Sequence, residues 1–277
     1  MHAEARNASP AGSTSDAASP IGSVDKALLT LDSLGAAGPD GLPLADLATR
    51  LGVNKSTLHR TLAALRHRSY VTQHATSGRY RLGPAALALA VPYLADENLP
   101  ALLHDALRVL STEVDELVHL GVLAGDEVIY LDKVEPTHAV RVWSAVGRRV
   151  PSRTSALGRA LLAYSGDDAT PAASSAADPA AEPAADGAPP SAVERALALA
   201  LERGWAEEVE ENEPGITCVA VPILRSGRSV AAVSVSAPAE RMAAERREQI
   251  AHQVHAAVAP CLAPPLSLPP VPAPAPT

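Results

Sequence analysis

The chain has 277 residues and a net charge of −8, and 47% of its residues are hydrophobic but only 3% aromatic, so one large or two ordinary domains with aliphatic cores are possible. No apolar run reaches the ~18 residues of a membrane helix, and residues 1–22 lack the apolar core of a signal peptide, which predicts a cytosolic protein with no membrane partner. Two distant cysteines, Cys218 and Cys261, exclude a disulfide framework and a cysteine zinc site, and we predict no metal or cofactor.

The acidic total hides a basic N-terminal part. Residues 22–83 carry eight Lys or Arg against four acids, and from Asn54 to Gly83 six bases occur without an acid. The remainder of the chain is strongly acidic. This layout is expected when only the first part of a protein meets a polyanion such as DNA.

Three segments have compositions that cannot build a core. Residues 1–22 are predicted to be a disordered arm, residues 166–190 a flexible insertion rich in Ala, Pro and Asp, and residues 261–277 a Pro-rich disordered tail. The folded parts are expected at 23–83, 84–96 and 97–260.

The first folded part has the pattern of a helix-turn-helix. Periodic apolar residues predict helices over Ser23–Leu34, with Ser23 as its cap, and over Leu44–Leu51. After a turn containing Gly52, a third helix is predicted to run to about His67. Its leucines share one face, whereas the opposite face is small and basic. Such a face suits the major groove, because short polar and cationic groups can reach the bases and phosphates.

A hairpin of two alternating segments, residues 70–73 and 79–82, follows the third helix and completes a winged helix. Its tip is suited to phosphate or minor-groove contact. Residues 84–96 then read as a linker helix with Pro84 in its first turn. The predicted DNA contacts come from the third helix and the wing tip: Lys55, Ser56, Thr57, His59, Arg60, Thr76 and Arg79.

The second folded part has the pattern of an α/β sheet domain. Segments rich in Val, Ile and Leu predict strands at 117–123, 127–135, 139–144, 205–210, 217–224 and 229–236. Helices are predicted at 101–114, 155–164, 192–203 and 240–259. His119, in an alternating strand, is expected to be a packed and hydrogen-bonded core histidine. On pattern alone, Glu208 is expected to be a solvated carboxylate.

Both parts resemble one known family. The runs SVDKALLTLDSL, LPLADLATRLGVNKSTLHRTLAALRHRSYV and SGRYRLGPAALAL resemble the N-terminal domain of the IclR family of bacterial transcriptional regulators. VHLGVLAGDEVIYLDKVE, RVWSAVGRRVPSRTSALGRALLA, ENEPGITCVAVPI and AAVSVSAP resemble its effector-binding domain, in the same order. The resemblance implies an α+β protein: a winged helix-turn-helix domain, a linker helix and a GAF-like α/β domain that binds a small organic acid or aromatic and shifts operator affinity.

The resemblance also implies an effector site. SRTSALGRA is similar to the family's loop entering a helix, where the amides of Ala156 and Leu157 and the helix dipole favour a ligand carboxylate. By motif match, Cys218, Ser234 and Ser236 line the rest, and Glu208 stands where related proteins often carry an acid facing the effector. Arg153 stands where a His is common, and either favours an acidic effector or lies outside on the surface.

The sequence therefore predicts a ligand-responsive transcriptional regulator and not an enzyme. We expect it to bind double-stranded operator DNA as a homodimer or a dimer of dimers, because one recognition helix contacts too little DNA for useful specificity. Two alternatives stay open at this point. One is a GAF-like enzyme that uses Cys218, and the other is an architectural DNA-binding protein whose second domain binds no ligand.

Overall fold

A computed structural model describes residues 21–96, with side chains to residue 91, and residues 98–136, 144–166 and 190–272. Most of the arm, most of the 166–190 insertion and nearly all of the predicted strand 139–144 lie outside these residues. The helices are α1 Gly22–Ala36, α2 Leu44–Arg50, α3 Lys55–His67, α4 Pro84–Asp96, α5 Leu99–Val114, α6 Ala156–Ala163, α7 Ala192–Arg203 and α8 Ala244–Val258. The strands are β1 Val71–Gln73, β2 Tyr80–Leu82, β3 Leu117–Ala124, β4 Glu127–Val134, β5 Arg149–Pro151, β6 Ala206–Val209, β7 Ile216–Arg225, β8 Arg228–Pro238 and β9 Leu266–Ser267.

Residues 22–82 form a winged helix, as the sequence predicts. Helices α1–α3 and the β1–β2 hairpin share one core, which includes Leu34, Leu47, Leu58 and Tyr80. The expectation that Ser23 caps α1 is wrong. The helix begins one residue earlier, because the carbonyl of Ile21 already accepts hydrogen bonds from the amides of residues 24 and 25.

The wing is joined to the segment before α2. Leu42 and Tyr80 exchange two backbone hydrogen bonds, each 2.8 Å long. Gly41 makes this approach possible, since a Cβ there would lie 2.1 Å from the carbonyl oxygen of Tyr80 and its φ is +60°. The hairpin is therefore fixed at its base.

The second unit is built on one antiparallel sheet. Its strands lie in the order β5-β4-β3-β8-β7-β6, and β9 pairs with β7 beyond the end of β6. Alternate residues of the central strands face opposite sides. Val118, Val219, Val221, Val233 and Val235 belong to the apolar core that also contains residues of α5 and α8, whereas the other face packs against α6.

Helix α6 lies close to its neighbours because two glycines leave room for it. A Cβ at Gly158 would lie 2.1 Å from the carbonyl oxygen of Ser152, in the loop that leads into the helix. A Cβ at Gly121, on β3, would lie 3.2 Å from a methyl group of Leu157. The start of α6 therefore sits directly over β3.

The sequence missed two strands, β5 and β9, which have three and two residues. It also started α8 too early, since residues 239–241 form a separate 3-10 turn. Strands this short carry too little alternation to be recognised, and they exist because longer strands pair with them.

The C-terminal segment 261–272 corrects the expectation of a disordered tail. Leu266 pairs with Arg225 of β7 and is 8% exposed, and Leu268 and Val271 pack against the core shared by α5 and α8. Gly204 accommodates the segment, as a Cβ there would lie 2.3 Å from the carbonyl oxygen of Pro270. Proline is compatible with this edge position because its missing N–H is not needed by a neighbouring strand.

Truncation after Cys261 should lower the free energy of unfolding by about 2 kcal/mol or more, because it removes a buried Leu and uncovers apolar core. Truncation after Pro272 is the matched control and should leave stability within about 0.5 kcal/mol of the parent. Urea unfolding of the three proteins measures the difference. Equal stability of all three would mean that the segment contributes nothing.

Candidate functional sites

The exposed face of α3 carries the predicted DNA-contacting residues of that helix. Lys55, Ser56, His59 and Arg60 are exposed, whereas Leu58 is 2% exposed on the opposite face. The helix start is fixed by Asn54, whose Oδ1 accepts hydrogen bonds from the Thr57 amide at 2.8 Å and from the Ser56 hydroxyl at 2.9 Å. Thr57 is half-buried. The small and basic face therefore belongs to a helix whose first turn is capped by a side chain.

The two wing residues predicted to contact DNA differ in exposure. Thr76 is exposed at the tip. Arg79 is half-buried, and its guanidinium donates to the carbonyl oxygens of Asp40 at 2.9 Å and Gly41 at 2.7 Å. Arg79 therefore joins the wing to the segment that precedes α2. Sequence analysis did not single out Arg66 of α3, which donates to Gln73 of the wing at 3.0 Å and joins helix and hairpin.

Strand register brings four of the predicted effector residues together on the α6 face of the sheet. Glu208 on β6 lies opposite Cys218 on β7, which lies opposite Ser236 on β8. Directly opposed residues of antiparallel strands share a face, and Ser234, two positions before Ser236, lies on the same face. The Cys218 thiol donates to the Ser236 hydroxyl at 3.1 Å. Cys218 retains accessible surface within this row.

The N-terminus of α6 lies over the same face. The Ser155 hydroxyl caps the helix by accepting from the amide of Gly158 at 3.2 Å. The amides of Ala156 and Leu157 belong to the first turn, where no helical carbonyl is available to accept from them. Ser152, in the preceding loop, has a buried hydroxyl without a partner among the described residues. These groups form a donor-rich end suited to an anion.

Arg153 lies outside this arrangement. Its side chain is exposed, and its positive charge acts on Glu194 of α7, whose pKa is lowered chiefly by hydrogen bonds from Ser191 and also by Arg153. Its backbone carbonyl accepts a hydrogen bond from the Arg159 guanidinium at 2.9 Å. Of the two alternatives for Arg153, the structure favours the surface position.

Glu208 is buried, so the expectation of a solvated carboxylate is wrong. It is 1% exposed, and its Oε2 accepts from the amides of Glu211 at 3.0 Å and Asn212 at 3.2 Å. Its Oε1 has no hydrogen-bond partner of normal geometry among the described residues, and the Glu208 carboxyl and the Cys218 thiol are close enough to influence each other's pKa. Burial raises the pKa of Glu208. A buried oxygen without a partner marks a place where water or a ligand is expected.

Arg159 of α6, which sequence analysis did not select, holds the loop after Glu208. It is 4% exposed, it forms a bidentate pair with the Glu211 carboxylate, and it donates to the carbonyl of Glu207 at 3.1 Å. Hydrogen bonding from Arg159 lowers the pKa of Glu211. An Arg inside the apolar run SALGRALLA was the available signal, since a buried Arg requires an acidic partner.

His119 is the packed core histidine that its strand pattern predicts. It is 2% exposed, its ring stacks on Tyr130 with 4.3 Å between centroids, and Nε2 lies 2.6 Å from the Ser144 hydroxyl. Burial, with Lys133 and Arg148 adding to the effect, lowers its pKa to about 3. Nδ1 has no partner among the residues described. His119 lies opposite Ser234, so it extends the polar row across β3.

The thiol of Cys218 is unsuited to nucleophilic attack. Burial, and secondly the nearby charge of Glu208, raise its pKa well above the usual value, so the reactive thiolate is disfavoured. Within the described ranges no group of His, Cys, Asp and Glu is placed to hold a metal ion.

Two family models match this chain. The model of the IclR helix-turn-helix domain matches residues 23–75, and the model of the bacterial transcriptional regulator IclR C-terminal domain matches residues 91–261. The chain belongs to the IclR family. It is therefore a DNA-binding transcriptional regulator, and the alternative of an enzyme using Cys218 is wrong.

Similar proteins cover nearly the whole chain. The HTH-type transcriptional regulator XynR of Escherichia coli (strain K12) is 32% identical over 80% of this chain and 88% of its own length. A crystal structure of an IclR-family regulator from Alicyclobacillus acidocaldarius is 26% identical, covers 88% of this chain and 98% of its own, and superposes with a TM-score of 0.66. An IclR homologue from Microbacterium hydrocarbonoxydans, solved in complex with 4-hydroxybenzoate, shares the fold with a TM-score of 0.63, at 22% identity and coverage of 85% and 98%.

None of the described helices is long and apolar enough to cross a membrane. The two units that the family models match correspond to the winged helix and the sheet domain described above.

The buried state of His119 predicts a pH dependence of stability. Its folded pKa of about 3 lies below the ordinary value of 6.5, so the unfolded chain binds a proton more readily and the parent loses stability as pH falls below about 6.5. At pH 5 the loss amounts to about 2 kcal/mol. His119→Phe keeps a ring against Tyr130 but removes this proton linkage. Urea unfolding between pH 7.5 and pH 5 should show the parent losing stability relative to the variant, whereas parallel pH profiles would contradict a buried neutral histidine.

Proposed function

We propose that this IclR-family regulator binds a small carboxylate-bearing metabolite between α6 and the sheet, and that binding changes its affinity for operator DNA. The observation that carries the proposal is the row of polar side chains, Glu208, Cys218, Ser234 and Ser236, that the strand register places on the α6 face of the sheet. A ligand that satisfies these groups would stabilise the folded state.

The start of α6 supplies the anion-binding part of the proposed site. The amides of Ala156 and Leu157 and the helix dipole favour a negative charge over β3, near the polar row. The same fold accommodates 4-hydroxybenzoate in the Microbacterium protein. A carboxylate-bearing ligand is also compatible with the electropositive surroundings that Lys133 and Arg148 create at His119.

On the DNA side, we propose that α3 lies in the major groove. Arg60 and His59 face the bases, and Lys55, Ser56 and Thr57 lie at the helix start, where phosphate contacts are common. Thr76 approaches the backbone from the wing. Arg79 completes the predicted set, and its hydrogen bonds to Asp40 and Gly41 give it an indirect part, in which it holds the wing in place.

Exposed apolar residues support binding as a homodimer or a dimer of dimers. Val24 and Leu28 are 52% and 56% exposed on one stripe of α1, and Leu87 and Val91 are 67% and 56% exposed on α4. A second copy of the chain would cover apolar area that a monomer leaves in water.

Two substitutions on α3 test the DNA contacts. Arg60→Ala should weaken specific operator binding by about 1–3 kcal/mol if Arg60 reads a base. Lys55→Ala should weaken binding to all sequences and reduce the salt slope by about one unit if Lys55 holds a phosphate. Binding isotherms at several salt concentrations, on operator and unrelated DNA, separate the two effects. Unchanged affinity in both variants would remove α3 from the interface.

Filling the polar row tests the effector site. In the parent, a small carboxylate from a broad library should raise the melting temperature and change operator affinity by about 1–3 kcal/mol. Ser236→Leu should abolish this response because the larger side chain occupies the ligand's place, while ligand-free operator binding stays near that of the parent. Thr217→Val is the matched control, since Thr217 has a buried unpartnered hydroxyl on the opposite face of the same sheet. A parent that responds to no carboxylate would favour a ligand-independent DNA-binding protein.

A further inference from the structure

Arg149 on β5 lies between acidic side chains of both folded units. Its Nη1 donates to the Glu127 carboxylate of β4 at 3.3 Å, and its Nη2 lies 4.0 Å from the carboxylate of Asp32 on α1. Glu127 belongs to the same sheet as Arg149, whereas Asp32 belongs to the winged helix. Arg149 therefore forms an ion pair that crosses from the sheet domain to the DNA-binding unit.

The signs of this ion pair are the reverse of the net charges of the two units. Residues 22–83 are basic, and the remainder of the chain is acidic. An acidic domain attracts the basic face of α3, which must stay available for DNA. Asp32 lies about 200° around α1 from the fully buried Leu34, which faces the winged-helix core. The pair with Arg149 therefore holds the outer side of α1, and not α3, toward the sheet domain.

Asp32 also continues the exposed stripe of α1 that carries Val24 and Leu28, because residues four positions apart lie on one face of a helix. This is the stripe that a second copy of the chain covers in the proposed homodimer. The tilt of α1 in such a dimer sets the spacing of the two recognition helices, and the half-sites of an operator must match that spacing. A contact at Asp32 is thus placed to affect operator binding without touching DNA.

Strand β5 connects Arg149 to the start of α6 through residues with little freedom to move. Val150 is 3% exposed and belongs to the same core as the first turn of α6. The Ser152 amide donates to the carbonyl of Asp126 at 2.9 Å, and a Cβ at Gly158 would lie 2.1 Å from the Ser152 carbonyl oxygen. A displacement of the start of α6 therefore displaces Ser152 and, through the paired strand, Arg149.

We propose that Arg149 is a positioning residue for the winged helix, which couples the start of α6 to α1 through its ion pair with Asp32. A change at the start of α6 then alters the position of the DNA-binding unit and its affinity for operator DNA. The start of α6 is part of the proposed effector site, so the use of this coupling by a ligand rests on the proposed function. The coupling itself operates without a ligand and is tested without one.

Carbodiimide cross-linking of the full-length protein tests the contact. Carbodiimide joins a carboxylate to an adjacent amine, so Arg149→Lys should give an amide link between positions 149 and 32 that mass spectrometry identifies. Arg153→Lys is the matched control, because Arg153 is exposed and its charge acts on Glu194 of α7. It should give no link to Asp32. Mixing isotope-labelled and unlabelled protein shows which chain supplies each end, and a missing link or one formed only between chains would overturn the assignment.

A double-mutant cycle tests the coupling. The probe is the duplex that the parent enriches most from a random-sequence DNA library, and no ligand is added. Ser155→Ala removes the cap of α6 and should change the affinity for this duplex about twofold to fivefold, which is the range that an exposed ion pair can transmit. In an Arg149→Gln background, Ser155→Ala should have almost no effect.

Variants of α1 test the other end of the contact. Asp32→Asn should abolish the effect of Ser155→Ala, as Arg149→Gln does. Asp25→Asn is the matched control, since it removes the same charge from the same helix, and it should leave the effect of Ser155→Ala intact. A near-parent melting temperature establishes that each variant is folded.

Gly158→Ala gives a second perturbation of the start of α6, because its added Cβ meets Ser152. If the folded variants at positions 155 and 158 change the affinity by the same factor with and without Arg149, the coupling does not pass through Arg149 and the inference is wrong. It is also wrong if neither variant changes the affinity when Arg149 is present. Ser155→Ala alone decides if Gly158→Ala does not fold. A failed carboxylate screen would overturn the proposed effector class and leave this cycle unaffected.

Discussion

The pairing of β7 with β8 determines both the core and the candidate effector site of the second unit. Val219 and Val221 face α5 and α8 together with their partners Val235 and Val233, and the adjacent Cys218 and Ser236 face α6. Because side chains alternate along a strand, a shift of one residue would exchange the two sets. The burial of apolar side chains on one face therefore also fixes the polar row on the other. The packing of the core and the position of the candidate effector residues therefore depend on the same β7–β8 register.

Close approach of α6 covers the face of the sheet that carries the polar row. Gly158 and Gly121 permit contacts that a Cβ would obstruct, and Arg159 of the same helix binds the loop that supplies Glu208 with two backbone donors. The helix thus contributes in two ways: its first turn has amides without helical acceptors, and its buried Arg159 holds the acidic loop. An Ala at Gly158 would displace the helix from Ser152, which would alter the site without changing any residue in it.

The sequence predicts the winged helix well because its information is local. A 3.6-residue apolar period and a short turn containing Gly52 are enough to place α2 and α3. The burial of Glu208 has no local signature, since it depends on pairing with β7 and on an Arg 49 positions earlier in the chain. Likewise, the wing position of Arg79 depends on the carbonyl of Asp40, and the tail is ordered by the exposed edge of β7. These features arise from contacts between distant segments, which composition and periodicity do not encode.

A ligand in the second unit can act on DNA only by favouring one arrangement of the protein over another. The apolar core is poorly suited to this, because close-packed interiors resist small continuous changes. The charged contacts around β6 are better suited. Glu207, next to Glu208, binds Arg203 of α7 at 3.1 Å and Arg247 of α8 at 2.6 Å. Helix α8 in turn packs against α5, which follows the linker helix α4 in the chain. A bond made or lost at Glu208 is therefore one residue from ion pairs that join β6 to α7 and α8.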